Sequence, residues 1–408
     1  MPQHTARTAR TRLPAGVWAL GFVSLFMDVS SEMIHALLPV FLTSVLGASA
    51  AMVGLIEGVG EATASFAKPF SGWLSDRLGR RKALIVIGYG LGALSKPFFA
   101  LAPTASWVLA ARFSDRVGKG MRGAPRDALV GDLTPEAVRG AAYGLRQSLD
   151  TVGAFAGPLL AMGLMVLYAG DFREVFWTAL IPGAVAVAIL ILAVHEPGRQ
   201  RADRQVRPPI RWREIGSLSG AFWAVLAVGT IIGLARFSEA FLILRAQDSG
   251  LQPAAVPLVL VVMNVVYAVS AYPAGALADR RDPRYILAAG LAVLIAADVI
   301  LALAPGIGTV LVGVGLWGLH MGLTQGLLAA LIARHAPAAL RGSAFGLFHL
   351  VSGVAVLAAS LLAGALWDWG GPQATFTCGA ALSAIGLLSA LAVLRAPATG
   401  PGPPAPDR

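Results

Sequence analysis

Charge is scarce in this 408-residue chain: Asp, Glu, Lys and Arg make up 13% of it, against about 25% in a soluble domain. A surface so poor in ionisable groups excludes a soluble globular protein. Cysteine is nearly missing. With Cys378 alone no intramolecular disulfide can form, and its place inside an apolar run makes it a packing residue. No phosphate-cradling P-loop, nucleophile elbow or metal pair at protease spacing occurs, so the chain is expected not to be an enzyme and to use no cofactor. Lysine is rare too, with four among 32 basic residues.

Apolar side chains, in contrast, make up 56%, and they come in runs. A spanning helix needs about 20 mainly apolar residues, and twelve runs meet that standard: roughly 15 to 45, 50 to 75, 82 to 103, 106 to 130, 141 to 168, 174 to 195, 219 to 245, 254 to 277, 285 to 304, 308 to 333, 343 to 367 and 373 to 394. They are too long for barrel strands and do not alternate. The expected fold is an all-α membrane protein with twelve transmembrane helices in two pseudo-symmetric six-helix bundles. Its divisions are a cytoplasmic tail at 1–14, bundles at 15–195 and 219–394, a linker at 196–218 and a disordered Pro- and Gly-rich tail at 395–408. Arg7, Arg10 and Arg12 before the first run resemble a signal peptide, yet Asp28, Glu32 and His35 stand where a small-residue cleavage site belongs, so the run is read as an uncleaved helix.

The two-bundle reading rests on a repeat. Gly72-Trp-Leu-Ser-Asp76-Arg77-Leu-Gly-Arg80-Arg81-Lys82 joins the second and third runs, and its G-x-L-x-D-R core returns 203 residues later as Gly275-Ala-Leu-Ala-Asp279-Arg280. A second pair, Pro135-x-x-x-Arg139-Gly140-x-Ala142-Tyr143-Gly144-Leu145 and Pro337-x-x-x-Arg341-Gly342-x-Ala344-Phe345-Gly346-Leu347, matches at an offset of 202. Half-length repetition means two copies of one unit.

The net charge of +10 is a topology signal. Arginines crowd every second connection, including 77 to 82, 199 to 213 and 280 to 284, whereas the alternate loops hold little beyond Arg173 and Arg245, each beside an acid. The positive-inside rule then puts both termini in the cytoplasm, in the inner membrane. No aromatic-interleaved basic motif accompanies the charge, so nucleic acid is not a partner. The expected partners are the lipid bilayer, a small-molecule substrate and protons, with a monomer as the working unit.

The loop signature in this place resembles that of the major facilitator superfamily of secondary transporters, over residues 15 to 394. Two further stretches fit: Arg112-x-x-x-x-x-Gly118-x-Gly120 resembles the family's intramembrane arginine motif, and Gly153-Ala-Phe-Ala-Gly157-Pro158 resembles the glycine-proline motif of its antiporter branch, of whose later glycines only Gly163 is present. Phe26-Met27-Asp28-Val29-Ser30-Ser31-Glu32-Met33 and Asp115-Arg116-Val117-Gly118-Lys119-Gly120 resemble a largely uncharacterised prokaryotic branch. The resemblance implies alternating access about a midplane site, with proton coupling and efflux favoured. It also implies a latch at the basic loop. Gly72, Asp76, Arg77 and Arg80 would form it, Asp76 meeting the start of the eleventh helix and Arg80 an acid ending the fourth, Asp127. Asp279 and Arg280 repeat it more weakly, because Arg281-Asp282-Pro283 breaks the pattern.

Ionisable residues within the runs cost at least about 2.5 kcal/mol each, so they mark function or pairing. Asp28, Glu32 and His35 share a helical face at i, i+4 and i+7, as do Arg112, Arg116 and Lys119. Glu57 and Glu61 lie one turn apart, Lys96 near mid-depth; Lys68, Lys96 and Lys119 all fall within runs. The second half is sparser, with Arg236, Glu239, Asp298, His320, Gln325 and His349. Pairing is the plainer reading for Arg146 with Asp150, and for Asp115 with Arg116 or Lys119. The first-half acids outnumber the bases on their own helices, and crowding by like charge favours a bound proton, so Glu32, Glu57 or Glu61, with Asp28 second, are the candidate coupling acids. Asp28, Glu32 and His35 with Glu57 or Glu61 could instead ligate a divalent metal, but no Cys or His pair supports a dedicated site, and none is assigned. The mix of charges and aromatics points to a charged or zwitterionic solute rather than a neutral sugar; proton-coupled import of such a metabolite, transport of a divalent metal or metal chelate, and a sensor that transports nothing stay open.

Overall fold

The computed structural model describes residues 13–196, 210, 212–278, 280–337 and 340–393. Expectations about the first twelve residues, most of the linker, Asp279 and the C-terminal tail from residue 395 lie outside the described residues. Among the described residues the regular structure is helical and no strand occurs. In chain order the α-helices are α1 (Ala15–His35), α2 (Leu38–Val40), α3 (Ala50–Leu78), α4 (Arg81–Ala100), α5 (Ala105–Leu133), α6 (Arg139–Leu167), α7 (Phe172–Ala193), α8 (Trp212–Ile215), α9 (Gly220–Ala235), α10 (Ala240–Asp248), α11 (Leu258–Ala278), α12 (Pro283–Leu303), α13 (Ile307–His335) and α14 (Arg341–Val393).

Nine helical segments among the described residues are long and apolar enough to cross a membrane. The α3 and α5 helices, of 29 residues each, reach about 43 Å at 1.5 Å per residue, long enough to span, but are more polar than that set. The 53 residues of α14 are two helices in series, because Gly370 and Gly371 leave helical geometry and Gly371 takes a φ of +69° that other residues resist.

Local chemistry sets the ends. Thr104 accepts from the Trp107 N–H, Ser219 from Phe222, Asp171 from Arg173 and Glu174, and Asp282 from Arg284, each supplying an acceptor to the open first turn. Two runs read as continuous are interrupted. The first ends its α-helix at His35, turns at Ala36 and Leu37, and finishes in a π-helical stretch at Phe41–Val45. The seventh breaks at residues 236–239, between α9 and α10. The linker contributes one helical turn, α8, where none was expected.

The chain divides into two compact units, one of Met1–Ala48, Val59–Pro209 and Gln252–Leu260, the other of Ser49–Gly58, Ile210–Leu251 and Val261–Arg408. In the first, α1 packs against α6 and α7, and α4 against α5 and α7, around Leu20, Val23, Met27, Ile85, Tyr89, Leu129 and Leu190. In the second, α12 packs against α13 and α14, and α9 against α14, around Phe222, Leu226, Ile232, Leu287, Leu291 and Ile332. Apolar side chains also point outward, among them Val166, Leu192, Val269 and Leu303, all more than 70% exposed. Such surfaces suit a hydrocarbon solvent.

Candidate functional site

Small residues bring the charged faces together. A Cβ on Gly157 would stand 2.7 Å from the Glu32 Cβ and 2.9 Å from the Val29 carbonyl, and one on Gly153 2.9 Å from the Asp28 Cβ. The G-x-x-x-G of α6 is thus a seat for the acidic face of α1, as close helix approach requires. Gly118 of α5 meets Gly88 of α4, Gly120 meets Ala64 of α3, and Gly60 leaves room for the stems of Arg112 and Arg116. The Gly163 position, by contrast, faces open space.

Through these contacts passes a chain of charge that runs from a buried Lys96 to a partly exposed Glu61. The Lys96 ammonium donates to Asp115 Oδ1 at 2.9 Å and to Ser31 Oγ at 3.1 Å. Asp115 Oδ2 faces Arg116 Nε at 3.6 Å, and Arg116 Nη1 meets Glu61 Oε1 at 3.1 Å. Lys96, Asp115, Arg112 and Arg116 are each at most 2% exposed. On α1, His35 Nδ1 lies 3.2 Å from Glu32 Oε2. The crowding of acids expected from their own helices is therefore offset, for Glu61 across helices by Arg116 and for Glu32 on its own helix by His35. Glu57 is buried. Lys119, half-buried on α5, forms no ion pair or hydrogen bond among the described residues, and Lys68 is exposed. Asp28 lies within electrostatic range of Asp150, Lys119, Arg122 and Arg126.

A second set of pairs lies nearer the basic loop. Arg146 bonds Asp150 at 2.7 Å, as its spacing implied, and approaches Asp127 at 3.6 Å. Arg126 meets Asp127 at 3.1 Å and donates to Ser24 Oγ at 2.9 Å, while the Arg122 guanidinium sits 4.8 Å from the Tyr89 ring centroid. The expected Arg80–Asp127 pair is replaced. Arg81 pairs instead with Asp76 at 3.1 Å and with Asp132, at the end of α5, at 3.3 Å. Arg80 precedes α4 in an extended conformation and is exposed, whereas Arg81 opens the helix and is buried. Arg77 lies over the Trp73 ring, Gly72 packs against Ala124, and Arg280 is exposed. Glu196, which no local pattern marks, accepts from the N–H groups of Arg81 and Lys82 at 2.7 and 3.1 Å and so caps α4 from 115 residues away.

The second unit is polar at fewer points. Arg236 and Glu239 flank Phe237 and Ser238 in the break between α9 and α10. His320 is fully buried, its Nδ1 2.8 Å from the Gly290 carbonyl. Asp298 is fully buried as well, and neither oxygen has a hydrogen-bond partner. Among the described residues no three His, Cys, Asp or Glu side chains gather as metal ligands would, so the acidic face of α1 does not converge with α3 into such a cluster. Among aromatics within the runs, Trp317 is core, while Phe98 and Phe113 are exposed.

Long apolar helices enclosing paired charges define a multi-pass membrane protein of the solute-transporter class. The sequence profile of the Major Facilitator Superfamily matches residues 20–246 and 240–408, and the chain belongs to that family. An uncharacterised MFS-type transporter of Methanocaldococcus jannaschii is 30% identical over 385 residues, 92% of this chain and 94% of that one. The inner membrane transport protein YajR of Escherichia coli is 26% identical over 387 residues, 91% and 81% of the two chains. In fold the chain resembles the crystal structure of the nucleoside transporter NupG, at a TM-score of 0.74 and 12% identity, covering 94% of this chain and all of that one.

Proposed function

We propose that the protein is a proton-coupled secondary transporter of a small charged or zwitterionic solute, working by alternating access in the cytoplasmic membrane, with both termini in the cytoplasm and the monomer as its unit. The observation that carries this reading is the Lys96–Asp115–Arg116–Glu61 chain, whose first three members are buried. Four charges inside helices of membrane length are too costly to serve packing alone, and Lys119 adds a half-buried cation on α5 that forms no ion pair among the described residues. Export is the favoured direction, since α6 carries the antiporter-type Gly153, Gly157 and Pro158 at its seat on α1.

The test has two stages. A ligand that binds the folded state raises its apparent stability, so detergent-purified protein is screened for thermal shifts against amino acids, organic anions, divalent metals and hydrophobic cations. A stabilising compound is then followed in proteoliposomes, by counterflow and under an imposed pH gradient. The expected result is counterflow, and net flux that reverses with the gradient. Binding without counterflow would mean a sensor, and flux indifferent to the gradient would remove proton coupling.

A further inference from the structure

Asp298 lies in the middle of α12 with 0% of its surface exposed. A carboxylate offers about four acceptor sites, and here neither oxygen finds a donor. Its surroundings explain why. A Cβ on Gly379 would stand 2.9 Å from Asp298 Oδ2 and 3.0 Å from the Phe237 ring. Phe237 in turn packs at 5.3 Å on Trp317 and at 5.5 Å on Phe376, centroid to centroid. The carboxyl therefore sits beside Gly379 and Phe237, whose ring forms an aromatic box with Trp317 and Phe376. In so dry a place an ionised and unpaired group would be expelled by the cost of losing water.

The charged and titratable groups nearby do not remedy this. Cys378, adjacent to Gly379, lies within electrostatic reach but is a weak donor at best. His320 on α13 is held at Gly290, eight residues and about 12 Å along α12 at 1.5 Å per residue. Arg236 and Glu239 bracket the break that supplies Phe237, and neither gives Asp298 a hydrogen bond. The first-unit acids Glu32 and Glu61 are otherwise placed, each beside a base.

We propose that Asp298 holds the coupling proton, as a neutral carboxylic acid whose release requires the box of Phe237, Trp317, Phe376 and Gly379 to open. The proposal rests on the proton-coupled reading above and moves the proton from the acid-rich first unit to the second. The break in the chain before α10 supplies the means, because Phe237 is carried on irregular backbone rather than on a helix and can swing away.

Infrared spectroscopy of the purified full-length protein in detergent, titrated from mildly acidic to alkaline pH with protons and deuterons as the only probe, tests the site without a known solute. The wild type is expected to show the carbonyl band of a protonated carboxyl at neutral pH, bleaching reversibly as the pH rises. Asp298→Asn should lack this band, and Asp298→Glu should displace it. A neutral-pH spectrum identical in wild type and Asp298→Asn would overturn the proposal, as would an Asp298 band that never bleaches. Either result leaves proton coupling itself to be judged by the gradient-driven flux, so the two claims fail separately.

Discussion

Asp115 is the residue on which the charged interior of the first unit turns, since it faces Lys96 at 2.9 Å and Arg116 at 3.6 Å while 2% exposed. Removing one partner of a buried pair costs about 3–5 kcal/mol because the other charge is left uncompensated. The two ends are not equivalent. Lys96→Met leaves Asp115 with Arg116, but Asp115→Asn strands the Lys96 ammonium without a counter-charge, leaving it only neutral acceptors, the new amide oxygen and the Ser31 hydroxyl. Thermal unfolding in detergent should therefore show Asp115→Asn as the more damaging single change, with Lys96→Met/Asp115→Asn recovering part of the loss. Equal effects of the two single changes, or strict additivity, would show that the pair is not the unit described. The sequence revealed which side chains are buried in membrane runs, but it could not reveal this pairing. The i, i+4 and i+7 rule places charges on a face of one helix, and Lys96 finds Asp115 on another; the pairs within one helix, Arg146 with Asp150 and Asp115 with Arg116, were readable. Glu196 shows the same limit more plainly, since its partners are 114 and 115 residues away.

At the scale of elements, small residues decide which helices may touch. Gly153 and Gly157 carry the seat of α1 on α6, and a methyl at Gly157 would meet a Cβ at 2.7 Å and a backbone carbonyl at 2.9 Å. Backbone cannot yield as a side-chain tip does, so Gly157→Ala is expected to cost about 1–3 kcal/mol, the range for overpacking, and to displace Glu32 from His35. Gly163→Ala, inside α6 with nothing within 4 Å, should raise the melting temperature slightly, since Ala is the better helix former by about 0.4–1 kcal/mol. The family motif alone ranks these glycines together; contact geometry separates them. A measured melting curve for Gly157→Ala that overlays Gly163→Ala would refute the seat. Breaks were the least legible elements. The seventh run reads as continuous because Arg236, Phe237, Ser238 and Glu239 include no Pro or Gly, and the irregularity there belongs to tertiary packing around Phe237.

For the whole molecule, the half-length repeat was legible because two loop motifs recur at nearly one offset, and the structure repeats a feature that no motif announces. Arg173 donates to the carbonyls of Ala100 and Ala102 at 2.6 and 2.8 Å, closing the end of α4. Arg245 does the same for Leu301 and Ala304, both at 2.8 Å, at the end of α12. Cations there satisfy last-turn carbonyls and favour the negative end of the helix dipole. These two arginines account for most of the basic charge in the acid-balanced loops, which makes them structural and leaves the positive-inside signal to the other face. That division fixes an expected orientation. Alkaline phosphatase, active only outside the cytoplasm, should be inactive when fused after Gly79, between Arg77 and Arg80 to Lys82, and active when fused after Gly170, where Asp171 and Glu174 flank Arg173. Because Arg173 and Arg245 are already spent on carbonyls, Arg173→Ala should lower stability yet leave the phosphatase pattern unchanged. Activity at Gly79 with silence at Gly170 would invert the molecule, and an Arg173→Ala variant that flipped the pattern would show that this arginine, and not the basic loops, sets the topology.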